Sequence, residues 1–256
     1  MENILPNLKE LTPIEYKDGY YFKRDDYFNF EDAGCGGKVR TCISIIKKNL
    51  NNIKGLSTAG SRSSPQVHIV SSISKYLKIP CRVHVPCGVL GPEVEAAKKN
   101  NAIIIQQKPG YNNVLISRCK KDCIETGFLE IPFGMECEEA IEQTSYQVQN
   151  IPDTINRIIV PIGSGMSISG ILYGIKKYKK DVKVIGIQVG ADPVKRLNKY
   201  APKDWKNILT IIKSEYKYDK KPKNCKFCNI NLDPIYEAKC IEYLEKNDLL
   251  WIIGHR

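Results

Sequence analysis

The chain has little histidine and tryptophan, three and two residues among 256, and no long apolar run. His68 falls on a predicted helix, His84 on a predicted strand and His255 at the C-terminus, and no serine–histidine–acid arrangement can be defended from such positions. Nor do they complete a zinc site with Cys225-Lys226-Phe227-Cys228, which has no second cysteine pair. No metal is expected, with redox activity or a metal at a dimer contact as minor alternatives for that pair. No segment approaches the roughly 20 apolar residues of a membrane helix. Met1-Glu2-Asn3-Ile4-Leu5-Pro6-Asn7 lacks the basic and apolar parts of a signal peptide, so a cytoplasmic location with no membrane partner is expected. A Gly-Lys-Ser/Thr ending and a G-x-G-x-x-G spacing are both missing, which excludes the nucleotide-kinase loop and the dinucleotide fingerprint. Internal repeats and low-complexity tracts are missing too.

What is present describes a globular protein, 42% hydrophobic and long enough for one large domain or two small ones. The ten cysteines are scattered through apolar segments, a pattern of reduced thiols rather than of a disulfide framework. The net charge of +11 is local. Ile171–Lys226 holds sixteen Lys and Arg against five Asp and Glu, while the remainder carries twenty-three of each sign. That excess reads either as a solvated lysine-rich surface or as a face for a polyanion, nucleic acid or another anionic carrier.

Taken in order, residues 13–30 predict two short strands around the Asp18-Gly19 turn. Apolar residues at 39, 42, 43, 45 and 46 predict a helix that stops at the Asn-rich 49–52. A short strand from Ile53 ends in a loop of small hydroxyl residues. Pro65–Lys78 and Pro92–Lys99 read as helices opened by proline. Cys81–Val85 and Ala102–Gln106 read as strands, and 111–126 and Glu136–Gln149 as helical. Arg157–Ile162 is a buried-type strand, followed by a helix over Ile171–Tyr178 and a strand over Val182–Val189. Lys213–Lys226 reads as surface, the stretch after Leu232 as a helix to Lys246, and Leu249–Arg256 as a core strand. Such βαβα alternation implies an α/β fold with a parallel sheet between helices.

Two stretches carry chemistry. In Gly34-Cys35-Gly36-Gly37-Lys38-Val39-Arg40 one lysine stands at a helix start, behind glycines that let backbone and ligand come close. The positive field of a helix N-terminus favours its neutral amine, the form that attacks carbonyls. Cys35 nearby reads as packing. In Gly163-Ser164-Gly165-Met166-Ser167-Ile168-Ser169-Gly170 a Gly/Ser loop links a strand to a helix, a geometry that binds phosphate through converging N–H groups.

The order of the GGK segment, the Ser57-Thr58-Ala59-Gly60-Ser61 loop, the Gly163–Gly170 loop and Asp233-Pro234-Ile235-Tyr236-Glu237-Ala238-Lys239 resembles the fold type II (tryptophan-synthase-β-like) pyridoxal-phosphate enzymes. It looks most like the branch of 1-aminocyclopropane-1-carboxylate deaminase and D-cysteine desulfhydrase. That branch's early lysine-acid and GGNK-type segments are echoed by Lys23-Arg24-Asp25-Asp26 and by Gly36–Arg40, without the Asn before the lysine. The resemblance implies two three-layer α/β/α domains around mostly parallel sheets, one over 1–52 plus 150–256 and a smaller one over 53–149. The cofactor would be pyridoxal 5'-phosphate (PLP), joined to Lys38 as a Schiff base. Gly163, Ser164, Gly165, Met166 and Ser167 would hold its phosphate, and Glu237 its pyridine nitrogen. Lys38, Ser61 and Tyr236 would be catalytic, and Thr58, Gly60, Ser61, Arg62 and Ser63 would bind substrate. The activity implied is deamination or β-elimination of a small amino acid through proton abstraction at Cα or Cβ, in a homodimer. Family members run longer, and the shortage falls mainly between Gly190 and Asp233, where a lysine-rich stretch replaces a segment that closes over the substrate. One alternative is therefore a tailoring enzyme acting on an amino-acid group attached to nucleic acid (DNA modification) or another anionic carrier through the 171–226 region. A catalytically silent binding module is the other.

Overall fold

The computed structural model describes residues 5–108 and 110–254. His255 and Arg256, included in the expected closing strand, lie outside the described residues. The N-terminal half contains β1 (Ile14–Lys17), β2 (Tyr20–Arg24), α1 (Gly37–Asn49), β3 (Leu56–Ala59), α2 (Pro65–Leu77), β4 (Cys81–Pro86), α3 (Pro92–Lys99), β5 (Ile103–Gln107), α4 (Asn112–Thr126) and β6 (Leu129–Ile131). Then come α5 (Glu138–Tyr146), β7 (Arg157–Ile162), α6 (Met166–Lys177), β8 (Lys183–Gln188), α7 (Val194–Tyr200), β9 (Leu209–Lys213), β10 (Lys226–Phe227), β11 (Ile230–Asn231) and β12 (Leu249–Ile252).

The chain divides into two units. One comprises residues 1–7, 29–34 and 38–137, and the other 8–28, 35–37 and 138–256. The first is built on a parallel sheet in the order β5-β4-β3-β6. Its central strands are buried, with Leu56, Ser57 and Thr58 fully so. This is the continuous burial of a parallel strand covered on both faces. α2 starts at Pro65, where the missing N–H is one that the helix leaves unpaired anyway, and stops at Lys78 in a left-handed conformation. Its Val67, Val70 and Ile73 are fully buried.

The second unit carries a six-stranded sheet in the order β1-β2-β12-β7-β8-β9. Only β1–β2 is antiparallel, turned by Asp18 and Gly19, both at positive φ, as the Asp-Gly pair predicts. Side chains alternate between two cores. Leu249, Trp251, Ile158 and Val160 pack on one face, with α6 residues Ile168, Ile171 and Leu172. Leu250, Ile252, Ile159 and Phe22 pack on the other, with Ile230 and Leu232. α6 lies close against α5 because two glycines face it. A Cβ on Gly174 would come within 2.5 Å of Val148 Cγ2 and 2.6 Å of the Ser145 carbonyl oxygen, and one on Gly170 within 2.6 Å of Thr144 Cβ.

Several expectations change. α6 begins at Met166 rather than Ile171, so half of the predicted Gly/Ser loop is the first turn of the helix. The stretch after Leu232 is a 3₁₀ segment over Glu237–Tyr243, not an α-helix to Lys246. β9, α7 and the β10–β11 hairpin were not anticipated. In that hairpin Cys228 and Asn229 form the turn at positive φ, and the Cys225 carbonyl pairs with the Leu232 N–H. Three residues of extended chain separate the two cysteines by about 10 Å, too far for a disulfide. None of the ten cysteines is in a disulfide.

Candidate active site

In the second unit the strand-to-helix transition after β7 has no side-chain cap. Gly165, at φ +94°, stands at the N-cap of α6 and offers no side-chain acceptor, so the first-turn amides of Ser167 and Ile168 point outward from the helix end. The Ser164 hydroxyl lies 3.5 Å from the Met166 N–H, and the Ser169 hydroxyl donates back to the Gly165 carbonyl at 2.7 Å. Gly165 is crowded by Pro193 and Arg196, and Arg196 Nη1 donates to the Ser164 carbonyl at 3.1 Å. Sequence reading missed this arginine, because nothing in Ala191–Tyr200 signals that α7 begins beside the loop. A Cβ on Gly190 would stand 2.5 Å from the Gly163 carbonyl oxygen, and one on Gly163 would meet the Tyr236 ring at 2.9 Å. Tyr236 therefore packs directly on the start of the loop.

Tyr236 and Glu237 are set by Asp233. Its Oδ1 accepts from the N–H groups of Ile235 (2.8 Å) and Tyr236 (3.1 Å), a side-chain-mimicked turn that an Asp-Pro pair signals in sequence. The Tyr236 hydroxyl meets the Tyr218 hydroxyl at 3.1 Å. Glu237 is fully buried, and its Oε1 accepts from the Ile253 N–H at 2.8 Å. Its Oε2 is buried with no hydrogen-bond partner among the described residues. Burial, with Asp233 adding repulsion, pushes the carboxyl up to about 8.

Cys35–Gly37 belongs to the same unit. The Gly37 N–H reaches the Ile253 carbonyl at 3.3 Å, and a Cβ on Gly36 would fall 2.0 Å from that oxygen. Gly36 is also at φ +87°. We expect Gly36→Ala to cost about 3 kcal/mol or more, summing backbone strain and a clash with a main-chain atom; an unchanged urea midpoint would contradict this. Lys23, Arg24, Asp25 and Asp26 are all buried. Lys23 Nζ bonds Asn150 and the Thr12 carbonyl, and Arg24 makes a two-point pair with Asp26. These contacts tie β2 to its surroundings.

Lys38 begins the long segment of the first unit as the second residue of α1, half-buried. The other expected residues of this unit lie after β3. Thr58 is buried, donates to the Ile131 carbonyl at 2.9 Å and accepts from Gln66 Nε2 at 2.8 Å. Its hydroxyl thus joins β3 to β6. Gln66, which bonds the Pro132 carbonyl as well, was missed because a glutamine inside a helix carries no positional signal. Ser61, Arg62 and Ser63 are exposed, Ser64 N–H closes on the Ser61 carbonyl at 3.1 Å, and Arg62 reaches the Val89 carbonyl at 3.3 Å. A Cβ on Gly91 would meet the Arg62 carbonyl oxygen at 2.3 Å, so the loop is held closely by its neighbour. Among the described residues no helix is long and apolar enough to cross a membrane.

The arrangement in the second unit fits a flat, anionic, nitrogenous ligand. Uncapped helix amides suit a phosphate, and a buried carboxyl oxygen without a partner suits a ring N–H. Solved structures share the fold. An "ACC deaminase homologue" superposes with a TM-score of 0.78 at 18% identity, covering 96% of this chain and 89% of that one. O-ureido-L-serine synthase gives 0.67 at 11%, covering 95% and 88%. Serine racemase from maize gives 0.65 at 16%, covering 95% and 89%. No curated protein matches the sequence. The family described as "Pyridoxal-phosphate dependent enzyme" matches residues 5–245, nearly the whole length, and the chain belongs to that family, with PLP as its cofactor.

Proposed function

We propose that this PLP-dependent enzyme acts on an amino-acid substrate by abstracting a proton at Cα or Cβ, in a deamination or β-elimination. The observation that carries the reading is Glu237, whose buried Oε2 has no hydrogen-bond partner among the described residues. A pyridine nitrogen placed there would be held protonated. Bound PLP supplies an electron sink for the negative charge that develops on the substrate. Lys38 supplies the amine that holds the cofactor, and its Nζ afterwards takes the substrate proton. The first-turn amides of α6 and the hydroxyls of Ser164 and Ser167 hold the phosphate, with Gly163, Gly165 and the Met166 N–H shaping the cradle. The Gly60–Ser63 backbone binds the substrate carboxylate, held in shape by Thr58 and Arg62, while Ser61 Oγ assists proton transfer. Tyr236 Oη faces the substrate.

The test is to incubate the purified protein with PLP, record the visible spectrum, reduce with borohydride and map the adduct by peptide mass. A yellow protein with the adduct on Lys38 supports the reading. A protein left colourless by excess PLP, or one labelled only on surface lysines, overturns it.

A further inference from the structure

β7, β8 and β9 are parallel and in register, so Ile162, Gln188 and Lys213 form one row at their C-terminal ends. The chain leaves this row at three adjacent points: Gly163 into the phosphate-type loop, Val189–Gly190, and Ser214 into the lysine-rich segment. The Gly190 N–H bonds the Ile162 carbonyl at 3.1 Å, and the Ser214 N–H bonds the Gln188 carbonyl at 3.0 Å. The segment from Lys213 to Lys226 therefore starts at the edge of the sheet where parallel α/β proteins bind ligands.

That segment is fixed in place. Lys239 is fully buried and spends its ammonium on two of the segment's carbonyls, Lys217 at 2.9 Å and Tyr218 at 3.0 Å. Tyr218 in turn meets Tyr236 through their hydroxyls. The segment holds six lysines, at 213, 217, 220, 221, 223 and 226, against Glu215 and Asp219. All six are exposed, and among the described residues none is in a salt bridge. At the other basic end of the unit two of the lysines, Lys176 and Lys180, pair with Asp204 and Asp153. Tyr216 and Tyr218 flank Lys217, Tyr216 half-buried and Tyr218 48% exposed. A cavity of about 500 Å³, lined in part by Gln188, Gly190, Lys213, Lys217 and Tyr218, opens beside them.

We propose that the Lys213–Lys226 segment binds the backbone of a single-stranded nucleic acid and presents to Tyr236 an amino-acid group carried on that strand. This rests on the PLP reading above for what happens to the group, but the strand contact stands on the segment alone. Unneutralised lysines on a backbone anchored at Lys217 and Tyr218 release counterions when they neutralise phosphates. Interleaved aromatic rings favour unpaired bases, which have free faces to stack. A duplex would use the lysines and leave the tyrosines idle.

The test uses the PLP-loaded protein and a fluorescein-labelled single strand of mixed sequence, followed by anisotropy across a salt series. Binding should weaken about 100-fold in the triple variant Lys220→Glu/Lys221→Glu/Lys223→Glu, with the log–log salt slope falling by about 2, near 0.7 per lost phosphate contact. Lys177→Glu/Lys179→Glu/Lys183→Glu, at the opposite ends of the strands, should change binding about twofold or less. No binding near 0.15 M salt, equal losses in the two variants, or equal competition by polyglutamate would overturn the proposal. In a second arm, a strand bearing an α-amino acid with a free amine should shift the cofactor's visible band at about 100-fold lower concentration than the free amino acid. Equal concentrations would overturn it as well. The two readings fail separately. An adduct on Lys38 without strand binding sinks this one, whereas strand binding without the adduct sinks the catalytic one.

Discussion

Lys38→Ala is expected to lower turnover of an amino-acid substrate about a thousandfold or more while shifting stability by about 1 kcal/mol or less. The size of the loss follows from the two roles proposed for one side chain, holding the cofactor and moving a proton. The small stability change follows from its place. Lys38 is half-buried at the second position of α1, where alanine is a good helix former. Lys38→Arg is the sharper control, because a guanidinium keeps the charge and the length but stays protonated at any working pH and neither condenses with an aldehyde nor accepts a proton. Both variants should be equally inactive in single-turnover assays and should melt close to the parent. Retention of more than about a tenth of the parent rate by either would remove Lys38 from its proposed role.

The second large effect is on stability and its pH dependence. In the cofactor-free protein Glu237 holds its proton up to about 8, because burial removes the water that would solvate its charge and Asp233 adds repulsion. In the unfolded chain the same carboxyl ionises near 4.5. Below 4.5 both states are protonated and Glu237 contributes no pH dependence. Between 4.5 and 8 the unfolded state releases a proton that the folded state keeps, so stability falls as pH rises and levels off above 8. At 1.36 kcal/mol per unit, the full window amounts to about 5 kcal/mol. Glu237→Gln is neutral throughout, so the variant should lose this slope and be the more stable protein at pH 8, while binding PLP more weakly. Urea titrations of both cofactor-free proteins at pH 5 and pH 8.5 decide the matter. Parallel pH profiles would mean that the carboxyl is ionised in the folded state. With the proposed placement of the ring nitrogen against Oε2, the slope should shrink in the loaded parent.

The elements legible in sequence were those with strong punctuation. α2 and α3 open on proline, the β1–β2 turn is Asp-Gly, and Arg157–Ile162 is too apolar to be anything but a covered strand. The elements that escaped are polar or short. α7 buries Leu197 as its one deep anchor, and the strands of the β10–β11 hairpin are two residues each. Helix length in the DPIYEAK region was overread because apolar spacing does not distinguish a 3₁₀ stretch from an α-helix. The same logic holds at the site. Glycines could be read from their neighbours, since each answers to a local geometric demand. Arg196, Gln66 and Tyr218 could not, because their partners are 32, 8 and 18 residues away, respectively, and no spacing rule connects them.

The position of β12 has a consequence for how the protein is made. Residues 249–252 lie between β2 and β7, pairing in parallel with residues 21–24 on one side. More than 220 residues of chain separate the two strands that must meet, and contacts of such long range are closed late and slowly. The first unit, apart from its short flanking pieces, is complete by residue 137 and can fold while synthesis continues. Glu237 gains its hydrogen bond only when Ile253 follows β12 into place. Until β12 has paired, Glu237 lacks the N–H that fixes its Oε1, so this carboxyl is set only after that late closure.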